Sequence, residues 1–498
     1  MKYQSTRNKT IEVTSAQAIT QGISVDRGLF VPESIPSLSM DEIRALCGMA
    51  YADRAQYVLA NYLTDFTADE VAECVRAAYT EQSFRSPDIV PLKRLDDTAY
   101  MLELWHGPTC AFKDMALQIL PHLMRVSAGK VSENEEIVIL VATSGDTGKA
   151  ALEGFRDAPH TRIFVFYPDT GVSPMQKLQM ATQAGDNVGV FAIRGNFDDA
   201  QNGVKAIFTD PDTGRLLQQN GKRFSSANSI NWGRLVPQIV YYVSAYCDMV
   251  KNGAVTLGEP MNVVVPTGNF GNILAAYYAK LMGVPVARLI CASNRNRVLT
   301  DFFETGTYDR RRDFFVTSSP SMDILISSNL ERLLFDLSGR DDAAVRGWME
   351  QLVATGVYTV SDAVKHKMDE LFVAGTCDES ETAATIAAAF REHGYLLDTH
   401  SAVAVRVYQD YRARTGDATP TVIASTASPY KFPASVLGAL GQACPEDELD
   451  AADQLHEVTG IEIPAPLAGL RGKQPRFTDV CTKEEMRGRI LGALGIKE

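Results

Sequence analysis

The sequence predicts an α/β fold in which parallel β-structure is covered by helices on both faces, behind an N-terminal, mostly helical lobe. Three observations lead there. The chain has 498 residues, more than one core ordinarily holds, so two or three domains are expected. Its composition, 45% hydrophobic and 22% charged, is that of a packed globular protein. From Tyr100 onward, short β-branched runs alternate with helical patterns, as strands buried on both sides require.

In chain order, helical patterns occur at Met40–Cys47 and Ala68–Tyr79, and a polar stretch from Glu81 to Arg85 leads into Ser86-Pro87. The strand candidates are Ile137–Val141, Arg162–Phe166, Val188–Ile193, Asn262–Val265, Arg288–Cys291 and Thr421–Ala424. Each is a nearly continuous apolar run of strand length. From Phe112 the residues Met115, Ala116, Ile119, Leu120, Leu123 and Met124 recur at three- and four-residue spacing, one buried helical stripe that Pro121 kinks or divides. A further helix is read from Asn231 to Met249, and another from Ile273 to Met282, stopped by Gly283 with Pro285 beyond. Asn252–Pro260 and Thr415–Pro420 read as surface connections.

A formal net charge of −13 argues against nucleic-acid binding, which needs a basic face. No apolar run reaches the ~18–20 residues of a membrane span, and Met1 to Lys9 lacks the apolar core of a signal peptide. A soluble, cytoplasmic protein is expected. The 8 cysteines include no C-x-x-C pair and the 7 histidines no H-E-x-x-H, so no metal site is expected.

Three segments could carry chemistry. Val263–Pro266, Thr267-Gly268-Asn269-Phe270-Gly271-Asn272 and Ile273 read as strand, glycine loop and helix. Turned-in backbone N–H groups and the helix dipole there suit a phosphate dianion, although an ordinary βα turn has the same pattern. Thr143-Ser144-Gly145-Asp146-Thr147-Gly148-Lys149 follows another strand and resembles a P-loop, but Thr143 and Ala150 depart from the Walker pattern. It reads as a cradle for a small carboxylate or phosphate. Asp146 is awkward beside an anion unless it caps the helix or orients other donors. Lys113, in Ala111-Phe112-Lys113-Asp114, opens an amphipathic helix beside apolar neighbours. It is either a snorkelling surface lysine or, with a depressed pKa, a Schiff-base nucleophile.

Together the motifs resemble threonine synthase. They are His106-Gly107-Pro108-Thr109-x-Ala111-Phe112-Lys113-Asp114, Ala142 to Gly148, Ser226-Ala227-Asn228-Ser229-Ile230-Asn231, Gly268 to Asn272 and Leu397 to Ala404, with Asp26 to Pro32 near the start. The resemblance runs in order over most of the chain and fades after Gly441. It implies two parallel-sheet domains of the tryptophan synthase β-like pyridoxal-phosphate fold (fold type II) with an N-terminal helical lobe. The implied division is a lobe at 1–95, a cofactor-binding domain at 96–130 and 232–440, a small α/β domain at 131–231 and a C-terminal extension at 441–498.

By the same resemblance, pyridoxal 5'-phosphate is held by Lys113 as a Schiff base. Its phosphate lies on Gly268, Asn269, Phe270, Gly271 and Asn272, and its pyridine nitrogen faces Thr426. The implied reaction turns O-phospho-L-homoserine and water into L-threonine and phosphate, a carbon–oxygen lyase step that ends threonine biosynthesis, in a monomer or homodimer. Substrate binding falls to Thr143, Ser144, Asp146 and Thr147 for the carboxylate, and to Lys149, Ser226, Asn228, Asn231 and Arg234 for the phosphate. Without the resemblance, Arg234 reads as a surface charge on its helix. The segment Ser428-Pro429-Tyr430-Lys431-Phe432 departs from the His-Pro-Ala-Lys-Phe common in the family, which unsettles the contacts near Thr426. The rivals are a serine or threonine dehydratase or a cysteine synthase of the same fold, which commonly carry Ser-x-Lys at the lysine, and a catalytically silent phosphometabolite-binding relative.

Overall fold

The computed structural model describes residues 1–131, 135–143, 145–170 and 172–497. Two separate parallel sheets organise it. The larger has six strands in the order Phe372–Thr376, Val286–Ser293, Met261–Pro266, Thr421–Ser425, Ala99–Glu103 and Leu92–Arg94, and only Leu92–Arg94 runs antiparallel to its neighbour. The smaller has five, all parallel: Val480–Cys481, Val188–Ile193, Thr161–Pro168, Glu136–Ala142 and Lys222–Ser225. Every apolar run read as a strand lies in one of these sheets. Met261–Pro266 and Val188–Ile193 are buried along their whole length, which is why neither shows a polar alternate face.

Helices cover both faces of each sheet. The helix Trp232–Lys251 is buried over nearly its full length and packs against Gly271–Leu281, Tyr51–Tyr62 and Met40–Cys47. No helix among the described residues is long and apolar enough to cross a membrane. The stripe after Phe112 is divided into Asp114–Leu117 and Leu120–Val131, and Pro121 is the second residue of the latter. An N–H has no intrahelical partner there, so proline starts the helix without loss.

Residues 1–95 contain the helices Ser15–Gln21, Met40–Cys47, Tyr51–Tyr62, Ala68–Ala78 and Glu81–Phe84, and also an antiparallel sheet of Asn8–Val13, Tyr3–Ser5 and Phe30–Pro32. The last part of the chain packs on both units. Ala451, Leu455 and Leu467 join the apolar cluster on the large sheet, while Met486 and Ile490 join the cluster on the small one.

Candidate active site

In a parallel sheet the carboxyl ends of the strands are where a crevice opens. The segment leading to Lys113, the Gly268 loop and Thr426 follow large-sheet strands, and Thr143 and Ser226 follow small-sheet strands. Local packing then fixes each. The Asp114 carboxylate accepts hydrogen bonds from the Thr109 N–H (2.8 Å) and hydroxyl (2.7 Å), folding Thr109–Asp114 into a tight turn. Gly107 lies against Asp114 so closely that a Cβ there would stand 2.5 Å from the Asp114 Cβ. Phe112 N–H donates to the Thr426 carbonyl (2.8 Å) and Ser428 N–H to the Cys110 carbonyl (3.1 Å), which brings Thr426 alongside Lys113.

Lys113 caps the short helix Asp114–Leu117, and its side chain is 12% exposed. Burial, opposed by Asp146 and aided by Arg234 and Lys431, lowers its pKa to about 8. The amine donates to Ser321 Oγ at 3.2 Å and stands 3.9 Å from Asp146 Oδ2. Its neutral form, a nucleophile and proton acceptor, is therefore reached at mildly alkaline pH.

The Gly268 loop has the free donors that an anion cup needs. None of the N–H groups from Gly268 to Ile273 has an acceptor among the described residues, and the helix Gly271–Leu281 has no side-chain cap. Phe270 adopts a left-handed φ of 63°, held by its buried ring, whose centroid lies 6.0 Å from those of Phe303 and Phe372. The amide nitrogen of Asn272 is buried without a partner, while its oxygen accepts from the Tyr242 hydroxyl. Unpaired donors in a buried site are costly unless a ligand takes them.

The loop after Glu136–Ala142 is tied to itself, since the Thr143 hydroxyl accepts from the N–H groups of Gly145 (3.0 Å) and Gly148 (2.9 Å). Ser144 lies outside the described residues, and Thr147 is half-buried in the first turn of the helix. Asp146 neither caps this helix nor repels an anion. Burial would raise its pKa, but Lys431 (2.6 Å), Lys113 and the Gln176 amide (2.8 Å) outweigh that and hold it well below the usual carboxylate range.

Several residues expected at a substrate phosphate are engaged elsewhere. Asn231 is spent on structure: its oxygen caps the helix Trp232–Lys251 by accepting from Gly233 N–H, and its amide donates to the Ile19 and Ser226 carbonyls. Lys149 pairs with Glu153 (3.0 Å) and donates to Gln183. Ser226 Oγ accepts from Asn228 N–H at 3.2 Å and keeps its own proton to donate, and Asn228 is half-buried beside it.

Arg234 is no surface charge. It is 3% exposed, one terminal nitrogen donates to the Ala227 carbonyl (2.6 Å), and its Nε is buried without a partner among the described residues. Burial lowers its pKa to about 10. No carboxylate pairs with it among the described residues, so its charge is buried there without a counter-ion.

Sequence reasoning did not assign Ser321, Lys431 or His400. Lys431 is wholly buried, with its ammonium on Asp146, the Thr109 carbonyl (3.1 Å) and Gln179 Oε1 (3.0 Å). His400 stood inside the motif from Leu397 to Ala404, whereas Ser321 lies in an irregular stretch with no periodicity to mark it.

A family model described as threonine synthase N terminus matches residues 2–79, one described as pyridoxal-phosphate dependent enzyme matches 84–426, and one described as threonine synthase, C-terminal matches 401–488. Threonine synthase-like 1 of Homo sapiens is 43% identical over 435 residues, 85% of this chain, and the chain spans 58% of that relative's length. Threonine synthase of Pseudomonas aeruginosa is 41% identical over 448 residues, covering 89% of this chain and 91% of the relative. The crystal structure of PLP-bound threonine synthase from Brucella melitensis superposes with a TM-score of 0.88 at 38% identity, covering 99% of each chain. The chain belongs to the threonine synthase family of pyridoxal-phosphate-dependent enzymes.

Proposed function

We propose that this chain is a threonine synthase that converts O-phospho-L-homoserine and water to L-threonine and phosphate, using pyridoxal phosphate held at Lys113. The observation that carries the reading is the pairing of a buried, low-pKa lysine with a cup of unpaired N–H groups and a buried guanidinium without a counter-ion. The residues fit the cofactor. Lys113 supplies the amine, Gly268 to Asn272 supply donors for its phosphate, and the Thr426 hydroxyl supplies a neutral partner for the ring nitrogen. Bound pyridoxal phosphate supplies the electron sink that makes protons on Cα and Cβ of the substrate removable. Lys113, once free of the cofactor, takes the Cα proton, and its burial favours the neutral amine for that task. The loop that Thr143 ties together presents the first helical turn from Asp146 to the substrate carboxylate. Arg234 receives the phosphate at Cγ before it departs with a proton from water, hydroxyl adds at Cβ, and the protons taken from Cα and Cβ are matched by protons returned to Cα and to Cγ, which becomes the methyl group. Incubation with O-phosphohomoserine should release phosphate and threonine in equal amounts. Release of ammonia from serine or threonine with no phosphate chemistry would favour a dehydratase, and an absence of any turnover a binding relative.

Three variants test the anion sites. Arg234→Ala should lower kcat/KM for O-phosphohomoserine roughly ten- to a hundredfold, since a charge-assisted contact of about 1.5–3 kcal/mol is lost. Its resistance to urea should hold or rise, because a buried cation without a partner opposes folding. Reduced stability with equal losses for phosphorylated and unphosphorylated ligands would make Arg234 a structural residue. At the cup, a Cβ on Gly268 would stand inside van der Waals contact with the Ser321 carbonyl oxygen, whereas one on Gly271 meets nothing closer than 3.4 Å. Gly268→Ala should therefore weaken cofactor binding by roughly tenfold or more and Gly271→Ala much less, as measured by titrating the cofactor-stripped protein with pyridoxal phosphate.

A further inference from the structure

The turn Pro320–Met322 lies over the site and is held on several sides. Its carbonyl at Ser321 abuts Gly268, and next to it the Ser327 hydroxyl donates to the Gly268 carbonyl (2.7 Å). From beyond, Ser321 N–H donates to His400 Nε2 (3.1 Å), and the Thr399 hydroxyl donates to the Ser318 carbonyl (2.7 Å). His400 is 3% exposed, and its Nδ1 stands 3.0 Å from Asp398 Oδ2. Asp398 in turn caps the helix Thr399–Thr415 through the N–H groups of His400 and Ser401. A carboxylate only accepts and a backbone N–H only donates, so these contacts place the ring proton on Nδ1 and leave Nε2 as the acceptor. The backbone of Ser321 is thereby fixed, and its hydroxyl points at the Lys113 amine.

We infer that the Ser321 hydroxyl is the resting point of the Lys113 amine whenever that amine is not bonded to the cofactor, and that His400, anchored by Asp398, is the positioning residue that holds Ser321 there. This deepens the reading of Lys113 as the cofactor lysine and rests on it. A lysine side chain has several rotatable bonds, and an acceptor fixed between amine and cup keeps the nitrogen within reach of the reacting carbon and of Cα. Without it, the amine is free to swing toward Asp146.

The test uses the full-length protein with Ser321→Ala, His400→Leu and His400→Gln. In Ser321→Ala, kcat should fall roughly tenfold with KM changed less than about twofold, and the stripped chain should recapture pyridoxal phosphate more slowly by a similar factor. His400→Leu should behave alike. His400→Gln, whose amide oxygen can accept where Nε2 does, should come within about threefold of the parent. The inference is overturned if Ser321→Ala recaptures the cofactor at the parent rate, or if the leucine and glutamine variants are equally impaired. Should His400→Leu fail to fold, Ser321→Ala, which deletes a single oxygen, decides alone. Borohydride reduction and peptide mapping separate the two failures. A label on another lysine overturns the cofactor-lysine reading, whereas a label on Lys113 with unchanged recapture overturns only the role of Ser321.

Discussion

Lys113→Ala is expected to reduce turnover by roughly a thousandfold or more, since it removes both the cofactor's covalent anchor and the base for the Cα proton. The variant should lack the visible absorbance that a cofactor–lysine linkage gives, and borohydride should fix no cofactor to the chain. Retained absorbance with a label elsewhere would move the site. In the parent, burial holds the amine near a pKa of about 8, against an ordinary lysine value of 10.5. The neutral fraction therefore rises as pH climbs through about 8, so attachment of pyridoxal phosphate to the stripped protein should accelerate from roughly pH 7 to 9 and then level. A lysine whose folded pKa is depressed opposes folding below that pKa, and the opposition fades as pH rises from about 8 toward 10.5. Cofactor-free Lys113→Ala should accordingly be at least as resistant to urea as the cofactor-free parent at neutral pH.

What the sequence shows and hides differs by residue for physical reasons. Met261–Pro266 and the loop after it are legible because a run of buried apolar residues followed by two glycines leaves few other structures. Asn231 is ambiguous in sequence because an asparagine at a helix start serves a ligand or a cap equally well, and one of its partners, the Ile19 carbonyl, lies 212 positions away. For Lys149 the evidence was local: Glu153 stands four residues on, at helical pairing distance. Arg234 and Lys431 illustrate the reverse case, cations whose burial depends on how both sheets pack and not on their neighbours in sequence. The N-terminal antiparallel sheet escaped because Tyr3–Ser5 and Phe30–Pro32 have three residues each, too few for a two-residue period to show.

Lys431→Met is expected to cost about 3–5 kcal/mol of stability, the ordinary consequence of removing one partner from a buried ion pair. The methionine fills a similar volume but leaves the buried Asp146, among the described residues, with Gln176 at 2.8 Å and Lys113 at 3.9 Å. It also strips the Thr109 carbonyl and Gln179 of a donor. Unfolding by urea, followed by fluorescence, should report a lower midpoint. Adding Asp146→Asn should restore part of the loss, because the variant pair no longer buries an uncompensated charge, and the two changes should couple strongly as contacting residues do. The effect should also reach Lys113. Lys431 lowers the Lys113 pKa and Asp146 raises it, so Lys431→Met should move the pH midpoint of cofactor attachment upward from about 8, and the double variant should bring it back down. A stability loss with no movement of that midpoint would show that the Lys431–Asp146 pair braces the fold without setting the protonation of the lysine.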